Sequence, residues 1–194
     1  MTERPGPRER LLTAARDLTY RHGVHVGVDA ILEAAGVARR SLYQHFGGKD
    51  GLIVEVLRGD LSAARYRQVM DAAGTDPRER LLAVFDELET ITEQPGFRGC
   101  RYTAAELALA DPGHPAHGEI RGYKDELREI FAGELAKAGH PDPDLAAEQY
   151  LVLVDGVLAH AVTRPEARPA RAAKGLAELM LNLAGTPSNP SPPR

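Results

Sequence analysis

The sequence predicts an all-α protein. Apolar residues recur at the i, i+3, i+4, i+7 spacing of a helix face through most of the chain, runs of β-branched residues are scarce, and glycine and proline fall between the periodic stretches. The 194 residues are 43% hydrophobic and 27% charged, with no tryptophan. That length supports one or two domains with a substantial core, and the composition favours helices packed on helices.

Residues 1–7 hold two prolines and a glycine and predict a loose tail. The first helix is expected from about Arg8 to His22, with Leu11, Ala14, Ala15 and Leu18 on one face and Gly23 ending the run. A second, from about Gly27 to Ala35, repeats the spacing with Val28, Ile31, Leu32 and Ala35. Ala35-Gly36-Val37 then supplies the small residue and glycine needed where two helices meet steeply through a brief turn. In the stretch that follows, Val37, Leu42 and Phe46 face inward, which turns Arg39, Arg40, Tyr43 and Gln44 outward. Guanidinium, amide and phenol groups on one exposed face are those that read base edges and hold phosphates.

Gly47-Gly48 loosens the next turn, and Lys49 to about Ala72 reads as one long helix with Leu52, Val56, Leu57, Leu61 and Ala64 inward. Ala73 to Pro77 is a break and restart, Asp76 serving as cap and Pro77 as the first helical residue. The fifth helix carries Leu81, Phe85, Leu88 and Ile91 as far as Gln94, where Pro95-Gly96 stops it. A short sixth is expected over Tyr102 to Ala110. The seventh runs from about Pro115 to Ala138, with Ile120, Tyr123, Leu127, Ile130, Phe131 and Leu135 on a wide face. After a turn at Pro141 to Asp144, Leu145 to Val162 is apolar over much of its circumference and so needs cover on two sides. The last helix, about Ala167 to Ala184, spaces Ala173, Leu176, Ala177, Met180, Leu183 and Ala184 along one face. Residues 185–194, rich in proline, serine and asparagine, are expected to be a disordered tail. The total is about nine helices, with no internal repeat.

Several fixed offsets agree with a known pattern. Gly23-Val24, Val28-Asp29-Ala30-Ile31, Ala34-Ala35-Gly36-Val37, Ser41-Leu42-Tyr43, His45-Phe46 and Lys49-Asp50-Gly51-Leu52 together resemble the helix-turn-helix of the tetracycline-repressor (TetR) family, over roughly Arg8 to Leu57. The resemblance implies a three-helix DNA-binding head at residues 1–50, a fourth helix from about 49 that connects, and a helical ligand-binding and dimerisation body at 51–184. It implies that Ala38, Arg39, Arg40 and Gln44 face base edges and that Ser41, Tyr43, His45 and Lys49 hold phosphates. Arg4 lies near enough in sequence to stay by the DNA backbone. At Gly27 the family more often has Thr or Ser, so only a backbone N–H is left to meet a phosphate.

A looser likeness to one subgroup's body runs through Phe97 to Tyr102, Pro112 to Pro115, Lys124 and Leu153 to Gly156. Family bodies hold a small molecule among the fifth to eighth helices. The lining candidates here are Phe85, Leu88, Cys100, Tyr102, Glu106, Tyr123, Leu127, Phe131, Tyr150 and Asp155, each with an ordinary core role as its alternative. Glu106 and Asp155 are the more telling if buried, because an unpaired carboxylate in an apolar body is costly. The last two helices are expected to meet a second copy through Val154, Val157, Leu158, Ala161, Leu176, Met180 and Leu183, with Gly156, Ala159 and Ala161 permitting close approach.

The resemblance thus implies a homodimeric regulator on a palindromic double-stranded DNA operator, a repressor released by an unidentified small molecule. A regulator without inducer or an activator is the nearest alternative, and a helical metal-dependent enzyme is another. Net charge is −4, which by itself argues against nucleic acid, yet residues 1–50 hold eight Lys/Arg against six Asp/Glu and the remainder sixteen against twenty-two. The positive end is the helix-turn-helix end. Enzyme signatures are thin: His114, His117 and Glu119 form a weak metal trio, and no nucleophile triad or glycine-rich phosphate loop stands out, so no cofactor is implied. Cys100 is the single cysteine, which excludes a disulfide within the chain and fits a reducing cytoplasm, with a redox role as its sharper alternative. No apolar run is expected to reach the ~20 residues of a membrane span, and residues 1–10 lack the apolar stretch of a signal peptide.

Overall fold

The structure is a computed structural model that describes residues 5–59, 62–164 and 168–183. Ten α-helices and no strand occur among the described residues: α1 Pro7–His22, α2 Val28–Ala35, α3 Arg39–Phe46, α4 Lys49–Arg58, α5 Ser62–Ala72, α6 Pro77–Thr92, α7 Arg101–Ala108, α8 Ala116–Lys137, α9 Pro143–Thr163 and α10 Arg168–Leu183. The single helix expected over 49–72 is two helices, α4 and α5, which accounts for the tenth. Periodicity continues beyond α4, but that helix ends at Arg58, and the Gly59 carbonyl accepts from Arg16 at 3.2 Å. Leu61 and the tail at 185–194 lie outside the described residues.

The chain folds as two compact units, residues 1–61 with 100–124 and residues 62–99 with 125–194. The core of the first contains Leu11, Ala15, Ile31, Leu32, Ala35, Leu42, Phe46, Leu52 and Val56, the inward faces that periodicity selected. Residues 100–124 join this unit through specific contacts. Tyr102 donates its hydroxyl to the Leu57 carbonyl at 2.9 Å and stacks on Tyr123 with ring centroids 3.7 Å apart. Arg101 donates to the Arg16 carbonyl at 2.9 Å and lies over the Tyr20 ring, while Arg58 bridges Glu55 and Glu119 at 2.6 Å each.

In the second unit α6 packs against α5, α9 and α10. Asp-Pro starts two of its helices: Asp76 accepts from the Arg78 N–H at 2.8 Å ahead of Pro77, and Asp142 accepts from the Leu145 N–H at 3.1 Å ahead of Pro143. The second of these was expected as turn, because Pro141 to Asp144 carries the same residues that terminate helices. Phe85, Phe131, Tyr150 and Tyr66 form an aromatic cluster at its centre, and Tyr150 donates to the Leu81 carbonyl. The expectation about membrane-length runs also needs correction, since α9 is long and apolar enough to cross a bilayer. Of its apolar window 44% is buried in protein, and its inward side chains pack on α6 and α10.

A buried carboxylate, Glu134, is held here by a charged cluster. Glu134 accepts from Arg80 at 3.0 Å and from Lys137 at 2.8 Å, and Arg80 also donates to the Met70 and Gly74 carbonyls and to Asp71. Burial pushes the Glu134 carboxyl up, but the hydrogen bonds from Lys137 and Arg80 outweigh it and hold the group below its ordinary range. Arg80→Ala strips one partner from a buried charge and uncaps α5. Urea unfolding is expected to show a loss of about 3 kcal/mol, the lower end for a broken buried pair, because Lys137 remains.

Candidate nucleic-acid interface

The site is built on the turn between α2 and α3. Gly36 ends α2 in the left-handed region at φ 59°, ψ 44°, where a side chain is strained. Its N–H donates to the Glu33 carbonyl at 3.0 Å and the Val37 N–H to the Leu32 carbonyl at 3.1 Å, the pair of bonds that closes a helix through a left-handed glycine. Val37 packs against the core as the accompanying apolar contact. From α1, Arg10 reaches across and donates to the Ala35 and Gly36 carbonyls at 3.1 and 3.0 Å. A cation on the electron-rich end of a helix is favourable, and here it also pins the turn.

With Leu42 and Phe46 buried, the other side of α3 faces out. Gly27, Ala38, Arg39, Arg40, Tyr43, Gln44 and His45 are exposed; Ser41 and Lys49 are half-buried. Tyr43 is 57% exposed, so its ring is a surface group and not part of the core. Gly27 caps α2 with no side-chain bond. Arg39 forms an ion pair with Asp29 at the start of α2. All nine residues expected at DNA therefore lie on α3 or at the ends of its neighbours, on accessible surface.

Three residues that matter here were not given a role from the sequence. Arg10 has its partners 25 and 26 positions away, so nothing local marks it. Asp29 reads as an ordinary acidic residue in the first turn of a helix. Gly51 did carry a signal, because a glycine inside a helix is unfavourable and points to a close approach. A Cβ there would stand 1.9 Å from the Phe46 carbonyl oxygen and 3.1 Å from its carbon, so α4 abuts the end of α3 only because residue 51 has no side chain.

The metal trio does not assemble. His114 presents Nε2 to Asp50 at 3.4 Å and accepts from the Ala116 N–H at Nδ1; Glu119 is held by Arg58; and no group of three metal-capable side chains occurs among the described residues. His117 places Nδ1 2.9 Å from the Glu106 carboxylate and Nε2 2.9 Å from the Asp111 carbonyl. Both partners accept, so the ring satisfies both only with two N–H groups, as the imidazolium. Glu106, exposed and paired in this way, is not the buried carboxylate that would mark a ligand site.

The other lining candidates divide between the units. Cys100, Tyr102, Glu106 and Tyr123 belong to the first, and Phe85, Leu88, Leu127, Phe131, Tyr150 and Asp155 to the second. Tyr102, Tyr123, Phe85, Leu88, Leu127, Phe131 and Tyr150 are buried; Cys100 and Asp155 are half-buried. The residues expected at the dimer face differ in their exposure within one chain. Val154, Val157, Leu158 and Ala161 are buried within the chain's own core, Met180 is half-buried and Leu176 is 52% exposed, while the Leu183 side chain lies outside the described residues. α9 is apolar over much of its circumference, and periodicity alone does not say which stripe its own chain covers. On α9 and α10 the exposed large apolar residues are Leu145, Val152, Val162, Leu176 and Leu179, and Val152 and Leu176 line a groove of about 600 Å³ between the two helices.

A family model described as bacterial regulatory proteins, tetR family, matches residues 11–56, which are α1 through most of α4. A solved TetR transcriptional regulator from Streptomyces avermitilis is 37% identical, with 94% of this chain and all of that one covered and a TM-score of 0.80. The chain belongs to the TetR family. A second family structure, from Streptomyces coelicolor, is 29% identical over 93% of this chain and 96% of that one, with a TM-score of 0.82. The transcriptional repressor KstR2 of Rhodococcus jostii is 30% identical over 132 residues, 66% of this chain; the chain spans only 54% of that repressor's length. The α2–α3 arrangement is thus the helix-turn-helix of a TetR-family transcriptional regulator, and its function is DNA binding.

Gly51→Ala is expected to drive α4 from α3. The thermal unfolding midpoint falls by the equivalent of about 1–3 kcal/mol, as for other overpacked sites, and DNA affinity falls with it. His117 gives a pH dependence. Its hydrogen bond to Glu106, then that to the Asp111 carbonyl, raise its pKa above the ordinary 6.5 against desolvation and the nearby Arg121. A raised value in the folded state means that its contribution is complete below 6.5 and is lost as pH rises through the folded value. The midpoint is expected to decline over that interval in the native protein and to lose this component in His117→Phe, with the ring titration followed by NMR.

Proposed function

We propose that this TetR-family regulator is a homodimeric repressor that binds a palindromic operator and leaves it when a small molecule binds. The single observation that carries the reading is the outward face of α3, where Arg39, Arg40, Tyr43 and Gln44 are exposed together beyond a buried Leu42 and Phe46. Arginine on such a face matches the O6 and N7 acceptors of guanine, and glutamine matches the N7 acceptor and N6 donor of adenine, in the major groove. Ser41, Tyr43, His45, Lys49 and the Gly27 N–H are the proposed phosphate contacts, and residues 1–50 the DNA-binding domain.

One head supplies few contacts, so useful affinity calls for two heads on half-sites about 34–36 Å apart or a multiple of that. Val152, Leu176 and Leu179 support a second copy packing along α9 and α10, within a dimerisation and ligand-binding region at 51–184. KstR2, named as a repressor, supports the repressing sense. The proposed ligand lining narrows to Phe85, Leu88, Leu127, Phe131, Tyr150 and Asp155, which share one compact unit. Binding there acts as a population shift toward a head spacing that the operator rejects. The site of action is the cytoplasm, with the DNA.

Selection from a pool of random duplexes by the full-length protein tests the reading. Inverted repeats bound by two chains are expected, read by sedimentation; asymmetric sites bound by one chain would refute the dimer. On the selected duplex Arg40→Ala is expected to cost about 1–3 kcal/mol and to relax preference at one base position, whereas Lys49→Ala weakens all sequences alike.

A further inference from the structure

Arg39, one of the two proposed base-reading arginines, forms an ion pair with a residue on a different helix. Asp29 stands in the first turn of α2, its side chain 87% exposed, and its carboxylate accepts from Nη2 of Arg39 at the first position of α3. Exposed ion pairs contribute little to stability. A helix-dipole role explains an acid at this position of α2, but not its bond to an arginine on the reading face.

We infer that Asp29 is a specificity-determining residue of this protein, one that positions Arg39 and discriminates against duplexes that Arg39 does not recognise. This rests on the proposed mapping of α3 onto base edges. The carboxylate does two things. It holds a planar fork of five donors by one Nη2, so the guanidinium is oriented before DNA arrives and loses less freedom on binding. It also sets a negative charge beside a helix that enters a field of phosphates, which disfavours every duplex to a similar degree. A base edge that takes up the rest of the fork offsets that repulsion, and a wrong base leaves it standing. Discrimination of this kind combines an attractive contact with a repulsive one.

The test uses full-length Asp29→Ala, Arg39→Ala and the double variant, each measured at one salt concentration. The two probes are the strongest duplex that the native protein selects from a random pool and a shuffled duplex of the same composition. Asp29→Ala is expected to bind the shuffled duplex more tightly and to lower the selected-to-shuffled affinity ratio roughly two- to fivefold, the size of coupling that exposed ion pairs carry. In the Arg39→Ala background, removal of Asp29 is expected to leave the ratio unchanged. An unchanged ratio in Asp29→Ala, or an equal fall with and without Arg39, overturns the inference while the α3 mapping stands. If Arg39→Ala itself leaves the ratio untouched, the mapping falls, and the role of Asp29 with it. Unfolding of Asp29→Ala, expected at the native midpoint, separates these outcomes from a change in α2.

Discussion

Arginines that cap the ends of other helices hold this protein together. The last carbonyls of a helix have no partner within it, and unless something donates to them the chain cannot turn away inside a packed structure. Arg10 of α1 donates to the end of α2, Arg16 of α1 to the Gly59 carbonyl after α4, and Arg80 of α6 to the Met70 and Gly74 carbonyls around the end of α5. Arg78 likewise donates to the Leu181 carbonyl near the end of α10. Each joins a local event, the end of a helix, to a long-range one, the docking of a second helix. A guanidinium suits the task because it keeps its charge and presents several donors in one plane.

The consequence for function is clearest at α2. A left-handed Gly36 allows the chain to reverse, but a turn with no external support leaves its two helices free to pivot. With Arg10 on two of its carbonyls and Val37, Leu42 and Phe46 packed behind, the direction of α3 is set from its buried side. The exposed side is then free to be polar. Gly51 completes the support from the far end, by letting α4 approach the last carbonyl of α3 more closely than any side chain would allow.

The second unit shows the opposite economy, apolar surface in excess of what one chain covers. α9 is buried along Ala146, Ala147, Tyr150, Leu151, Val154, Val157, Leu158 and Ala161, and still leaves Leu145, Val152 and Val162 exposed. On α10 the small residues Ala170, Ala173 and Ala177 pack inward and let the helix lie close, which turns Leu176 and Leu179 outward. Leucine at 176 and 179 and valine at 152 are the wrong residues for a face meant to stay in water, and they follow from the same helical period that buries the alanines.

Residues close in sequence determined the head almost by themselves. Period, capping glycines and the polar composition of α3 act within a turn or two of helix, so α1, α2 and α3, their inward faces and the exposed arginines were all legible, as were the Asp76-Pro77 start of α6 and the wide faces of α8 and α9. Tertiary structure alone decided the break between α4 and α5, where the periodicity runs on but an arginine from α1 claims the carbonyl beyond Arg58. It also decided which stripe of α9 its own chain covers, that His117 meets Glu106, and that Asp29 meets Arg39. The physical reason is common to these cases: a hydrogen bond or a packing contact between residues tens of positions apart depends on where two helices come to rest, and no local periodicity carries that information.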